Sequence, residues 1–190
     1  MRRTALIAVL VLLALTVCGS PPVQPSVNGT IKPKDGQPSF PKLGQYWVID
    51  KGCDFSQETV EWADEVFEQL RQDGIAEVAV ICQTGVVDRG PMNNGLIWTR
   101  DWGRWARLGD KDDDRAVVWL IRPDVAPEQH RVVVEVSTWL YQYTAIDYGD
   151  TLEEAANYAN WDDFDGVLEA IARGTDQKLR EVVKDNQIRK

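Results

Sequence analysis

The sequence predicts an α/β fold: an α/β/α sandwich with a mixed, mostly parallel central sheet and helices on both faces. Three observations support this prediction. Apolar runs and amphipathic helical patterns occur in the order strand, helix, strand, which requires a crossover and parallel pairing. Residues 116–121 are apolar without interruption, as in a strand covered on both faces. Residues 131–138 follow a turn so short that it fits an antiparallel hairpin.

The first eighteen residues resemble an export signal. Two arginines precede an apolar core over residues 5–15, which is too short for a comfortable membrane span. Cys18 stands where a bacterial lipoprotein signal places its acylated cysteine, although Val17 departs from the usual small residue before it. We therefore predict a signal peptide over residues 1–18 and export to the cell membrane, periplasm or cell envelope. Cys18 is predicted to carry a lipid anchor, with ordinary secretion or an uncleaved anchor as alternatives.

The rest of the chain divides into three predicted parts. Residues 19–45 are rich in Pro, Gly, Ser and Lys, a composition typical of a flexible linker. Residues 46–174 contain the strand and helix patterns and form the predicted α/β domain. Residues 175–190 are predicted to form a C-terminal helical tail, because a sparse apolar pattern continues there.

The first half of the domain reads as strand, helix, strand. A short strand is predicted over residues 46–50, and a buried one over residues 76–82. Asp54 or Ser56 can cap the helix between them, and Gly74 ends it. The apolar face of that helix repeats at helical spacing, with Val60, Ala63, Phe67 and Leu70 as its members.

A tryptophan-rich helix is predicted before the third strand. Its apolar stripe has helical spacing and comprises Trp98, Trp102, Trp105 and Leu108. Gly109 ends this helix, and residues 110–114 follow as a loop with four carboxylates. The loop is therefore held between two buried elements.

The second half of the domain reads as a strand followed by helices. The predicted strand over residues 131–138 places Glu135 on the same face as Val133 and Ser137. Thr151 and Glu154 form a capping box that is predicted to open one helix. Asp162 or Asp163 is predicted to cap the next helix.

Two cysteines follow the leader. Cys53 lies just past the first predicted strand and Cys82 at the end of the second. Parallel strands bring these positions to one sheet edge, so an exported protein could join them in a disulfide, and two buried thiols are the alternative. Their spacing provides no C-x-x-C motif, which argues against redox catalysis and against a zinc site.

The negative net charge of the chain excludes some classes of binding partner. The formal net charge is -9, and the Lys and Arg residues form no basic stripe. Such a surface repels phosphate backbones, so nucleic acid is not a predicted partner. Cations or basic partners are favoured instead.

Carboxylates are the candidate ligands for a cation. Asp50 ends the first predicted strand, and the acidic loop is expected at the same sheet edge. A calcium site is therefore predicted from Asp50, Asp112, Asp113 and Asp114, since oxygen ligands on a turn suit calcium. Arg115 stands where an EF-hand needs glycine, so the loop is no EF-hand. A solvated acidic loop without any metal is the alternative.

Three other carboxylates lie in or after the fourth predicted strand. Glu135 must lie either at an exposed edge or partly buried with a need for a partner. Asp147 and Asp150 follow in a loop expected near the same edge, where turn or capping roles are favoured.

The order of motifs resembles the TPM domain family, exported α/β modules named for thylakoid lumen and related bacterial proteins. The resemblance spans about residues 46–174. Its motifs are Val48-Ile49-Asp50, residues 105–109 ending in Gly109, the acidic loop running into residues 116–121, the strand at 131–136, and the helix start at 163–167. Family members usually continue the fourth strand into a G-x-G-x-E turn, where this chain has residues 137–141, Ser-Thr-Trp-Leu-Tyr.

The resemblance implies three functions. TPM proteins have been described as calcium binders, as acid phosphatases and as proteins that assist membrane complexes. His130 is the only histidine and no Ser or Cys is expected beside it, so the sequence identifies neither a nucleophile nor a general base. The predicted function is an exported, membrane-tethered module that binds a divalent cation and assists a membrane or envelope protein. A metal-assisted acid phosphatase and a ligand-free scaffold are the alternatives.

Overall fold

The computed structural model describes residues 47–86, 99–100, 102–103, 108–109 and 115–184. The strands in these ranges are β1 Val48–Lys51, β2 Glu77–Gln83, β3 Ala116–Ile121 and β4 Val132–Val136. The helices are α1 Gln57–Gln72, α2 Thr138–Thr144, α3 Gly149–Asn160 and α4 Phe164–Lys184. A short 3-10 turn covers Pro127–Gln129. The predicted signal peptide, Cys18 and the linker lie outside the described residues.

The four strands form one mixed sheet in the order β1-β2-β3-β4. β1, β2 and β3 are parallel, and β4 is antiparallel to β3. The predicted crossover and the predicted hairpin are therefore both confirmed. One row of paired residues crosses the whole sheet: Val48, Val80, Trp119 and Val134.

One face of the sheet is covered by α4 and its neighbours. The Trp119 indole is fully buried there and donates to the Thr175 hydroxyl of α4 at 3.1 Å. Its ring also meets the Tyr148 ring edge-on, with centroids 5.4 Å apart. Helix α4 packs against both α1 and α3, so these helices form one layer.

The opposite face carries the described part of the tryptophan-rich helix. Residues 102 and 103 are helical and buried, and a Cβ placed on Gly103 would lie 3.1 Å from Val118, whose side chain is on the face away from Trp119. Trp102 is fully buried and Leu108 is buried, as the predicted stripe requires. Trp98 and Trp105 lie outside the described residues. Helices therefore cover both faces, and the predicted α/β/α class is confirmed.

Helix α1 begins and ends as the sequence indicates. The Ser56 hydroxyl accepts a hydrogen bond from the Thr59 N–H at 3.2 Å, so Ser56 and not Asp54 is the N-cap. Gly74 follows the helix with φ +66°, a left-handed conformation that favours glycine.

Strand β4 ends earlier than predicted, at Val136. Ser137 then caps α2, because its hydroxyl accepts from the Leu140 N–H. The same hydroxyl accepts from the Ala116 N–H at 3.1 Å, so one side chain joins the start of β3 to the start of α2. Helix α2 was not predicted from the sequence.

The predicted capping box at Thr151 is wrong. Helix α3 begins two residues earlier, and Thr151 is buried inside it. The predicted cap at Asp163 is confirmed, because its carboxylate accepts from the Gly166 N–H at 3.0 Å.

Helix α4 runs without a break from Phe164 to Lys184, across the predicted domain boundary at residue 174. Residues beyond that boundary contribute buried side chains, among them Thr175, Leu179 and Val182. The segment up to Lys184 is therefore part of the domain and not a separate tail. Residues 185–190 lie outside the described ranges.

Candidate binding groove beside strand β4

Asp50 and the described residues that flank the acidic loop lie at opposite ends of the parallel strands. Asp50 pairs with Cys82, at the carboxyl end of the parallel strands. The residues flanking the acidic loop are at the amino ends of the strands. There the Gly109 N–H donates to the Glu77 carboxylate, and the Arg115 guanidinium donates to the Gly74 carbonyl. The length of β2 separates these two ends of the strands by about 17 Å. Asp50 is therefore distant from both residues that flank the acidic loop, and the calcium site stays a prediction.

The Asp50 carboxylate organises the turn that follows β1. One of its oxygens accepts from the N–H groups of Gly52 and Cys53, at 3.0 and 2.8 Å. The other oxygen accepts from the N–H of Phe55 at 2.8 Å. Backbone donors thus occupy both oxygens of the residue that was predicted to bind calcium. Asp112, Asp113 and Asp114 lie outside the described residues.

Replacing Asp50 with alanine is expected to lower the free energy of unfolding by about 1 to 2 kcal/mol, because three backbone donors lose their acceptor. Asp50→Asn should cost less, since the amide oxygen still accepts. Urea denaturation with and without millimolar calcium measures both effects. A difference between wild type and Asp50→Asn that grows with calcium would instead make Asp50 a ligand.

The predicted disulfide between Cys53 and Cys82 is present. The two Cα atoms are 5.9 Å apart, and both residues are buried. The bond joins the turn after β1 to the second strand and lies beside the Asp50 turn. The cysteine and aspartate side chains therefore fix the same corner of the sheet.

Strand β4 forms one edge of the sheet, and the register of its hydrogen bonds shows which backbone groups face outward. The Arg131 carbonyl accepts from the Arg122 N–H at 2.7 Å, and the Ser137 N–H donates to the Ala116 carbonyl at 2.9 Å. These alternate positions of β4 thus face β3, so the N–H and C=O groups of Val132, Val134 and Val136 face away from it. Val132 is buried, whereas Val134 and Val136 are half-buried.

A groove of about 540 Å³ lies along this outer edge. It is bounded by β4, α2 and the start of α3, and its apolar wall is formed by Val134, Val136, Ile146 and Leu152. Glu135 and Asp147 supply its carboxylates, and Tyr141 is an exposed aromatic side chain in its lining. A second recess of about 320 Å³ lies between β4 and the described part of the tryptophan-rich helix, and Glu135 lines it too. Among the described residues, Glu135 is thus placed between two recesses.

Burial raises the pKa of Glu135 above its ordinary value of 4.5, and the nearby Arg100 guanidinium opposes this shift. Glu135 shares the sheet face of Val118, its partner on β3. The sequence predicted that Glu135 lies either at an exposed sheet edge or partly buried. It lies on the edge strand and is also partly buried. Asp147, expected near the same edge, lines the same groove.

Replacing Glu135 with glutamine is expected to raise the free energy of unfolding at pH 7 by a few tenths of a kcal/mol and by less than about 1 kcal/mol, because solvent screens a half-exposed carboxylate. A carboxyl group whose pKa is raised by folding favours its neutral form in the native state, so its charge opposes folding above that pKa. The gain should vanish as the pH falls below 4.5, where Glu135 is protonated in both states. Urea denaturation at pH 7 and pH 4 measures this difference.

Glu169→Gln is the matched control, because Glu169 is exposed on α4. Its effect on stability should be small at both pH values. A Glu135→Gln protein that is less stable than wild type at pH 7 would mean that attraction to Arg100 outweighs the cost of burial.

Tyr148 lies at the base of the groove. Its side chain is buried against Trp119, and burial raises its pKa. The hydroxyl has no hydrogen-bond partner in the described part of the chain. A buried hydroxyl without a partner costs free energy, which a bound polar group could offset.

The described residues contain no assembled metal centre. Within ranges 47–86 and 115–184 and the short described pieces between them, no three His, Cys, Asp or Glu side chains gather into a group that could hold a metal ion. His130 follows the 3-10 turn with φ 57° and is exposed. Its carbonyl accepts from the buried Arg122 guanidinium, so its backbone serves the hairpin turn. No described helix has both the length and the apolar character of a membrane span.

Sequence reasoning identified Glu135 and Asp147 but not the groove that joins them. The missing part was α2, whose residues Tyr141 and Gln142 line one side. Its signal was the serine at position 137, a strong helix N-cap directly after an apolar strand.

Comparisons with known proteins add information on the fold. No protein-family model matches the chain, and no curated protein matches it. Among solved structures, protein BA42 from Bizionia argentinensis matches with a TM-score of 0.51 at 9% identity, over 68% of this chain and 83% of that one.

Two N-terminal domains also match. That of protein cg2496 from Corynebacterium glutamicum has a TM-score of 0.47 and 14% identity, over 72% of this chain and 82% of that one. That of a P. gingivalis protein has a TM-score of 0.47 and 18% identity, over 71% and 85%. The similarity to BA42 shows a shared fold and nothing about activity.

Proposed function

We propose that this chain is an exported, membrane-tethered module that binds a segment of a membrane or envelope protein in the groove beside β4. The groove carries the proposal. It combines an apolar wall, an exposed tyrosine and two carboxylates next to a strand edge whose outer backbone groups are unpaired within the described residues. Recesses of this size with a few polar groups are typical of binding sites.

The disulfide supports the export part of the proposal. Disulfides persist in oxidising compartments outside the cytosol, and the bond between Cys53 and Cys82 is buried in the domain core. The leader predicted from residues 1–18 agrees with that location. The resemblance to TPM modules, some of which have been described as assisting membrane complexes, also agrees with it.

The anchor is tested by Cys18→Ser in the full chain. A lipid on Cys18 is expected to hold the protein in the membrane fraction, so the variant should move to the soluble fraction or keep its leader. Fractionation and intact mass of the wild type and the variant measure this. A variant that remains in membranes without its leader would rule out the lipid at Cys18.

Calcium binding remains a prediction that now depends on the loop carboxylates Asp112, Asp113 and Asp114 without Asp50. Calorimetric titration with calcium tests it, and no heat up to millimolar calcium would remove it. The acid phosphatase alternative relies on the same loop. Release of phosphate from an aryl phosphate, lost in Asp113→Ala, would support that alternative.

Partner binding is tested by photo-crosslinking in cells that produce the full chain. A photoreactive residue at Gln142, which is exposed and lines the groove, is expected to form a discrete crosslink to a membrane or envelope protein. The matched control is the same residue at Glu169, which is exposed on α4 outside the groove. Equal crosslinks from both positions, or none from Gln142, would overturn the proposed function.

A further inference from the structure

The outer edge of β4 has the features of a site for strand addition. Val134 and Val136 present their N–H and C=O groups away from β3, toward the groove. Neither residue has a hydrogen bond to another described residue on that side. An extended segment placed there could therefore pair with four backbone groups as an additional strand.

The two sides of such a segment would meet different surfaces. Side chains of paired strands share a face, so every second residue would lie beside Val134, Val136 and Leu152 on the side of Trp119. The residues between them would lie on the side of Glu135. The first set therefore meets apolar groups and the second meets a carboxylate.

Charge indicates which residues of the bound segment would lie on the side of Glu135. The larger groove contains Glu135 and Asp147 and no Lys, Arg or His among its lining residues. The chain as a whole has a net charge of -9, which adds to the attraction for cations. A neutral or acidic segment would leave the half-buried Glu135 with only the nearby Arg100 guanidinium, whose attraction does not cancel the effect of burial.

We propose that the groove binds an extended protein segment in which apolar residues alternate with Lys or Arg, and that this segment pairs with Val134 and Val136 as a fifth strand of the sheet. This proposal rests on the proposed function, since it names the chemistry of the partner. The backbone pairing provides affinity for any extended chain, and the alternation of side chains provides selectivity.

The probe is a blocked seven-residue peptide in which lysine and valine alternate, added to the full chain in detergent. One comparison peptide has glutamate in place of lysine, and another is N-methylated throughout, which removes every backbone donor. The lysine peptide is expected to bind at least about ten-fold more tightly than either. Glu135→Gln should weaken its binding about three- to five-fold, whereas Glu169→Gln should not change it.

Amide hydrogen exchange by NMR locates the contact. Saturating lysine peptide is expected to slow exchange at Val134 and Val136 by ten-fold or more, because their N–H groups become bonded. Glu135, whose N–H already faces β3, is the internal reference and should change little. Val134→Pro removes one outward donor at an edge position where proline is tolerated, and should abolish the protection at Val136.

Strand addition would be overturned if the lysine peptide did not bind, or if the N-methylated or the glutamate peptide bound equally well. It would also be overturned if the lysine peptide bound but left exchange at Val134 and Val136 unchanged. If Gln142 still crosslinks to an envelope protein in that case, the proposed function stands and only the mode of binding is wrong. If the peptide binds as expected but Gln142 gives no crosslink, the groove chemistry stands and the envelope partner is wrong.

Discussion

Removing the disulfide by replacing both Cys53 and Cys82 with alanine is expected to lower the free energy of unfolding by roughly 3 to 4 kcal/mol. The bond closes a loop with a sequence separation of 29, which restricts the unfolded chain far more than the folded one. Both positions are buried, so the folded state also loses packing at the corner between β1 and β2. For a domain of this size the melting temperature should fall by about 10 °C.

Guanidinium denaturation of the oxidised protein measures the effect, and dithiothreitol opens the bond by an independent route. The reduced wild type should approach the stability of the double variant, and dithiothreitol should leave the double variant unchanged. Equal stability of the oxidised and reduced wild type would contradict the expected contribution.

Replacing Gly174 with alanine is expected to lower the free energy of unfolding by about 2 to 3 kcal/mol. In an exposed helix interior the same change would stabilise by about 1 kcal/mol, because alanine has the higher helix propensity. Here a Cβ would lie 2.5 Å from Thr151 Cγ2, 2.9 Å from its Cβ, and closer still to its hydroxyl. Thr151 is buried in α3, so the two helices must move apart.

A double-mutant cycle with Thr151→Ala separates this contact from other effects. Gly174→Ala combined with Thr151→Ala should recover at least part of the loss, because two of the three clashing atoms are gone. Denaturation midpoints of the four proteins give the coupling. A stabilising Gly174→Ala, or two purely additive changes, would show that α3 and α4 are not in close contact at this position.

The sheet could be predicted because its determinants are local. An uninterrupted apolar run, a capped amphipathic helix and a short turn each follow from neighbouring residues, and chain connectivity then gives the parallel and antiparallel pairing. The start of α3 could not be predicted, because Thr151 has the sequence of a cap and the environment of a buried contact. Its role depends on Gly174, which is distant in sequence and close in space.

The calcium site stays a prediction, because Asp112, Asp113 and Asp114 lie outside the described residues. Asp50 lies in β1 at the carboxyl ends of the parallel strands, whereas Arg115, the residue before β3, lies at their amino ends. The disulfide could be predicted from topology, because Cys53 and Cys82 both lie at the carboxyl ends of parallel strands. Glu135 was identified because a carboxylate within an apolar strand is conspicuous. The groove beside it was missed because the predicted strand continued to residue 138, across Ser137, where the chain instead starts a helix.

The position of the disulfide also determines how the domain would respond to mechanical load. A pull applied to the chain at Trp47 would enter next to the edge strand β1 and run along the ladder that joins β1 to β2. Beyond Lys51 the force reaches Cys53 and passes through the covalent bond into the second strand. The bond would therefore keep the turn after β1 attached to β2 even after the ladder between the two strands had opened.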